Sequence, residues 1–173
     1  MIDLALVWVG IIGLGVLIYV VMDGFDLGIG ILFPFMNGTQ ERDVMMNTVA
    51  PVWDGNETWM VLGGAGLFAA FPLVYSTVLS ALYLPIIFMV VALIFRGVAF
   101  EFRFKATRTK YLWDLAFIWG SILSSFFQGV ILGAYIQGIQ TTNGIYSGGG
   151  WDWFTPFTCF TGLGVVVMYA TLG

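Results

Sequence analysis

The chain is a succession of apolar runs, each close to the length of a bilayer-crossing helix, divided by short polar segments. A membrane helix needs roughly 20 apolar residues, and inside lipid every backbone N–H and C=O must be paired within the protein. Runs of this kind therefore fold as helices that pack on one another. The first is Leu4 to Met22, which continues through DGFDLGIGILFPF to Pro34, where the missing N–H weakens or stops the helix. Asn37 to Asn47 (NGTQERDVMMN) is polar, opens on the breaker Asn37-Gly38, and is expected to be a short connection. A second span covers about Asn56 to Val74, and Phe71-Pro72 with Ser76-Thr77 predicts a tight turn. Val78 to Phe100 makes a third span with Pro85 inside it, tolerable where neighbouring helices re-satisfy the freed carbonyl. Leu115 to about Ile139 is the fourth.

Gln140 to Trp153, with Gly148-Gly149-Gly150, is expected to be a flexible outer loop ending in interfacial Trp151 and Trp153. A fifth span begins near Phe154 and is still apolar at Gly173, so the chain is expected to be incomplete at its C-terminus. The fold expected is an all-α integral membrane protein, a polytopic transmembrane helix bundle of four to five spans. It forms one domain over residues 1–173: a four-helix repeat over about 1–140, the outer loop over about 140–153, and a fifth helix from about 154. MIDLALVWVG lacks a basic leader and runs apolar past the length of a signal-peptide core, which reads as a retained first span.

Composition narrows the function. With 60% hydrophobic and 9% charged residues, the chain is far from the quarter or so charged residues of a soluble domain. Histidine is absent and cysteine occurs once, as Cys159 in an apolar stretch, so no disulfide can form within the chain. The usual axial haem ligands and zinc ligands are missing too, and the expectation is no catalytic residue, no cofactor-binding residue and no metal site. Ten acids against six bases leave a small formal charge of -4, clustered rather than spread, which does not by itself indicate a partner; nucleic acid is not expected.

Charge also orients the bundle. Glu101 to Asp114 (EFRFKATRTKYLWD) carries Arg103, Lys105, Arg108 and Lys110, four of the six bases, and the positive-inside rule places that loop in the cytoplasm. Counting spans from it puts Arg42 inside, and the glycine loop and N-terminus outside. Asp23 and Asp26 then end span one, Asp54 and Glu57 open span two, and Arg96 and Glu101 close span three, all toward the cytoplasmic side. Asp23 and Asp26 are three residues apart, as are Asp54 and Glu57, so each pair shares a helix face. Five acids crowd few cations, and burial with like charge favours the protonated form of some of them. Holding or passing protons is the functional reading; solvated headgroup-level charges are the plain one, and that is the reading for Asp3, Asp43, Asp114 and Asp152. Arg96 interrupts an apolar run and must snorkel or find a carboxylate, with Asp54, Glu57 and Glu101 nearest by depth. Asn56 and Thr58 are candidate links through water, and Trp59 shares the helical spacing of Asp54 and Glu57, with lipid or core packing as its alternative. Gly24-xxx-Gly28 and Gly129-xxx-Gly133 predict close helix contacts. GFDLGIG lacks the lysine of a phosphate loop and a preceding strand, which excludes nucleotide binding there.

DGFDLGIG (Asp23 to Gly30), PVWDGNETW (Pro51 to Trp59) and FRGVAFEFR (Phe95 to Arg103) together resemble subunit II of cytochrome bd-type quinol oxidases, with FRGVAFEFR closer to the cyanide-insensitive branch. The resemblance covers essentially the whole chain. It implies the first half of a two-repeat, eight-helix, haem-free subunit in the bacterial cytoplasmic (inner) membrane. Its partner is subunit I, which holds haems b and d and the quinol site; small accessory subunits, lipid and quinone are further expected partners. The complex oxidises quinol and reduces dioxygen to water. By motif position, Asp54 is the leading proton-relay candidate and Glu101 an uptake or relay group, with Asp23, Asp26, Glu57, Arg96 and Trp59 in support. A secondary transporter and a purely structural assembly subunit are the rival readings.

Overall fold

The computed structural model describes residues 3–173, so the first two residues of MIDLALVWVG lie outside the described part. Asp3 caps the first helix by accepting a 3.0 Å hydrogen bond from the Ala5 N–H. Helix α1 then runs unbroken over Leu4–Leu32 and tightens into a 3-10 turn at Phe33–Phe35, where Pro34 ends it. Asp23 and Asp26 thus lie inside a helix, more than a turn before its end.

Four local expectations need correction. The connection expected over 37–47 is largely a helix, α2 (Thr39–Val49), entered through Gly38 at φ 141. Met46 and Val49, three residues apart, share one face and are buried, which docks α2 on the bundle. Helix α3 (Trp53–Ala70) is separated from α4 (Pro72–Phe102) by Phe71 alone. Ser76 and Thr77 make no turn: both hydroxyls donate back to the Leu73 carbonyl at 2.9 Å, so their polar groups are satisfied inside α4. Pro85 leaves its mark as a kink, with Leu82 at φ -118, ψ 18. After α5 (Lys110–Gln137), Gly138 at φ 89 stops the helix. The outer loop is then shaped by a hairpin of β1 (Thr141–Thr142) and β2 (Ile145–Tyr146), closed by Asn143 at φ 54 and Gly144 at φ 77. Gly149 N–H (2.7 Å) and the Tyr146 hydroxyl (3.1 Å) both donate to Asp152, and Thr77 donates to the Gly144 carbonyl at 2.9 Å, tying the hairpin to α4. Thr155 and Thr158 form a reciprocal cap for α6 (Pro156–Leu172).

Helix α1 packs on α3, α5 and α6, while α4 packs on α3 and α5, and α5 also holds α6. By length and composition α1 with its 3-10 turn, α4 and α5 are apolar enough to cross a membrane; α6 is a shorter apolar helix, and α3 opens with polar turns. Large apolar side chains such as Leu6, Ile94, Phe95 and Phe160 face outward. A bundle apolar outside as well as inside is a polytopic membrane protein.

Small residues set the helix spacing. A Cβ on Gly120 would sit 2.8 Å from the Ala92 carbonyl oxygen, so α4 and α5 touch there through backbone. On Gly129 it would lie 2.5 Å from the Thr161 carbonyl oxygen and 2.6 Å from Gly162 Cα, so α5 and α6 meet there in the same way. Gly129→Val is expected to destabilise the protein by about 1–3 kcal/mol, as overpacking does, read as a lower thermal midpoint of the purified complex. Gly164, whose added Cβ meets nothing within 4 Å, should accept the same change with little loss.

Candidate functional site

The inner face of α1 carries Asp23 and Asp26, three residues apart, and α4 presents Arg96 to both. Arg96 Nη1 donates to Asp23 Oδ1 at 2.9 Å, and Nη2 stands 3.8 Å from Asp26 Oδ2. From α3, Asn56 Nδ2 donates to the same Asp26 oxygen at 2.8 Å. The Arg96 guanidinium also lies 5.7 Å from the centre of the Phe100 ring. Asp23, Asp26 and Arg96 are fully buried, at 0% exposure. The fourth wall is α5: an added Cβ on Gly30 would collide with Ser121, and Gln128 reaches Tyr19, with buried Ser124 and Ser125 on the turns between.

The partners of Arg96 correct the expectation from depth, which favoured Asp54, Glu57 and Glu101. Asp54 and Glu101 are exposed, and Glu101 pairs instead with Lys105 one turn on, a surface pair worth about 0–1 kcal/mol. They nonetheless stand at the same end of the bundle, because the neighbouring Trp53 and Phe100 rings stack at 5.1 Å and 15°. Glu57 is half-buried between the two groups, within electrostatic reach of Arg96, Asp23 and Asp54. Thr58 is exposed and donates to its own helix at Gly55, and half-buried Trp59 takes part in none of these hydrogen bonds.

Asp23 Oδ2, Asp26 Oδ1, Arg96 Nε and Nη2, Ser121 Oγ and Ser124 Oγ are buried without a protein partner. Donors and acceptors are mixed in this set, the kind of site that ordered water bridges. One guanidinium beside two carboxylates also leaves a surplus negative charge when all are ionised, and buried charge is tolerated poorly unless balanced. The site therefore has room, chemically, for one proton. Among the described residues no group of three or more His, Cys, Asp or Glu is arranged to hold a metal ion.

Two polar features were not foreseen. Tyr19, Gln128 and Tyr169 are joined by hydrogen bonds across α1, α5 and α6; the available signal was Tyr19 one turn before Asp23 in an apolar run. The other lies at the basic end, where Arg103, fully buried between the Phe33 and Phe104 rings (5.4 and 5.5 Å), is hydrogen-bonded to both Asp43 and Asp114. Arg42 Nη1 reaches Asp114 at 3.2 Å, and Lys110 Nζ reaches the two Asp43 oxygens at 2.9 and 3.1 Å. Asp43 and Asp114, expected to be solvated, are instead structural, because a buried guanidinium at the end of α4 draws acids from α2 and α5. Four bases in one short loop were the clue.

Desolvation alone would raise the Asp43 carboxyl, but hydrogen bonds and charge from Lys110 and Arg103 outweigh it and hold Asp43 below its usual 3.8. A carboxyl depressed in the folded state adds stability that is complete above the unfolded value and is lost as pH falls through the folded one. Asp43→Asn is therefore expected to lower the thermal midpoint at neutral pH and to flatten its fall on acidification below about pH 4. An unchanged acid limb would show that the contact carries no linkage.

The cytochrome bd-I ubiquinol oxidase subunit 2 of Escherichia coli (strain K12) is 34% identical over 178 residues, covering 98% of this chain and 47% of that protein. The cytochrome bd ubiquinol oxidase subunit 2 of Bacillus subtilis (strain 168) is 40% identical over 121 residues, 68% of this chain and 36% of that protein. The chain spans about half the length of the first of these curated relatives or less of the second. Residues 4–173 match the family model described as cytochrome bd terminal oxidase subunit II, and this membrane helix bundle belongs to that family.

Proposed function

We propose that the chain is the haem-free second subunit of a bd-type terminal oxidase in the bacterial cytoplasmic membrane, and that it conducts cytoplasmic protons toward an oxygen-reducing haem in subunit I. The complex oxidises quinol and reduces dioxygen to water, with haems b and d and the quinol site on subunit I. This chain has no histidine, the commonest axial ligand of haem, and every step assigned to it here is proton handling or assembly. Reduction of dioxygen consumes protons at a buried centre, while lipid blocks their arrival.

The observation that carries the reading is the graded burial of carboxylates across one end of the bundle. Asp54 and Glu101 are exposed beside the basic loop, Glu57 is half-buried, and Asp23 and Asp26 are sealed around Arg96. With the basic loop in the cytoplasm, Glu101 and Asp54 take protons from water, Glu57 passes them inward, and the Arg96 cluster holds one in reserve. The exposed apolar flanks of the helices supply the surface for subunit I, accessory chains, lipid and quinone.

Asp54→Asn in the assembled oxidase is expected to slow turnover roughly tenfold, about 1.4 kcal/mol on the barrier, with haem content unchanged. Full turnover with intact haems would remove Asp54 from the route. The scaffold reading draws on the Asp23–Arg96 ion pair, which joins α1 to α4, and it predicts that second outcome.

A further inference from the structure

Tyr169 on α6 donates its hydroxyl proton to Gln128 Oε1 at 2.8 Å, and Gln128 Nε2 on α5 donates to the Tyr19 oxygen at 2.7 Å. Both tyrosines are buried. Tyr19 lies four residues before Asp23 on α1, so the two share a helix face. Since Gln128 already occupies an acceptor position on the Tyr19 oxygen, the single Tyr19 proton remains free to donate. One turn along the same face, Asp23 Oδ2 is a buried acceptor without a protein partner.

We infer that Tyr169, Gln128 and Tyr19 form a one-way line of donors that fixes Asp23 as the standing counterion of Arg96 and leaves Asp26 as the carboxyl that takes up and releases the proton. This rests on the proton-handling reading above and adds which acid does it. Asp23 receives a guanidinium N–H at 2.9 Å and has the free Tyr19 proton one turn away on its own helix, whereas Asp26 receives a neutral amide at 2.8 Å and stands 3.8 Å from Arg96, beyond a good hydrogen bond. Charge-assisted donors hold an acid ionised more firmly than neutral ones do. Each acid keeps one oxygen without a protein partner, Oδ2 on Asp23 and Oδ1 on Asp26; in this assignment the Tyr19 proton goes to the first and the acid proton sits on the second.

The other groups that face the pair agree. From α3 come Glu57, with Asp54 beyond it; α4 supplies Arg96; α6 supplies Tyr169; and α5 carries no ionisable side chain from Ser121 to Gln128. The line is not a second conduit, because a carboxamide passes a proton only by becoming an imidic acid. Tyr19, Gln128 and Tyr169 are accordingly positioning residues, and what they position is charge.

Infrared difference spectroscopy of the purified, full-length, haem-loaded complex reads this directly, through the C=O stretching band of protonated carboxyls. Asp26→Asn is expected to remove one such band, while Tyr19→Phe shifts it or adds a second as Asp23 begins to compete for the proton. Tyr169→Phe, which deletes only the far donor, should give a smaller shift in the same direction and guards against loss of folding at Tyr19. Persistence of every band in Asp26→Asn, or a spectrum unmoved by both tyrosine changes, overturns the inference. Loss of the band in Asp26→Asn with full turnover would support the assignment of the proton while overturning proton conduction.

Discussion

Arg96→Met is expected to leave almost no assembled complex, because it strands two buried carboxylates with no cation between them. Removing one partner of a buried ion pair costs about 3–5 kcal/mol, a large share of the roughly 5–15 kcal/mol that holds a typical fold together. Arg96 joins Asp23 and Asp26 of α1 to α4, and Asn56 brings α3 to the same point, so the loss falls where three helices meet. The informative companion is the triple change Arg96→Met, Asp23→Asn, Asp26→Asn, which removes the charges together and is expected to restore much of the yield and thermal midpoint. Replacing a whole buried ionic group with well-packed apolar side chains of similar volume is often harmless to stability, and Asn keeps the volume of Asp while removing its charge. If the restored complex also regained turnover, the cluster would be a fastener; recovery of assembly without turnover would support a role for its proton. Normal yield and melting of the single Arg96→Met variant would sink the claim that these charges depend on one another.

The helices were largely legible because hydrophobic length and prolines are local signals. Pro34 marks the end of α1, and Phe71-Pro72 marks the break between α3 and α4. Turns read from composition fared worse. Ser76-Thr77 reads as a turn by residue type, yet both hydroxyls fold back on Leu73, and the glycine loop contains a hairpin that depends on positive φ at Asn143 and Gly144. For the polar cluster, the sequence placed six ionisable groups at one end of the bundle, and Asp23, Asp26 and Arg96 do meet. What it could not supply was the rotation of each helix about its axis. That phase is set by contacts such as Gly30 on Ser121 and Gly120 on Ala92, where absent side chains let backbones close. It turns Asp23 and Asp26 inward and leaves Asp54 and Glu101 on the surface. The same blindness hid Arg103, which reads as one of four equivalent bases in its loop until packing buries it.

Arg103→Leu should therefore produce a large stability loss, second to that of Arg96→Met, although Arg103 belongs to a loop that composition marks as solvated. Its guanidinium is fully buried between two phenylalanine rings and bonds to Asp43 of α2 and Asp114 of α5, so one side chain locks α2 and the α4–α5 connection together. Both acids retain some exposure, and water recovers part of the cost, so about 2–3 kcal/mol is expected rather than the full price of a sealed pair. For a domain of this size that is roughly a 4–12 °C fall in thermal midpoint. Arg103→Lys keeps the charge but loses the planar fork that serves two carboxylates at once, and should fall between the two. Arg108→Leu, at an exposed position in the same loop, should melt near the wild type. Equal effects at Arg103 and Arg108 would mean that only the loop's net charge matters. Unequal ones mean that one base is architectural, and protease cleavage within the 36–52 segment should then rise in Arg103→Leu alone, because α2 loses the anchor that Asp43 provides.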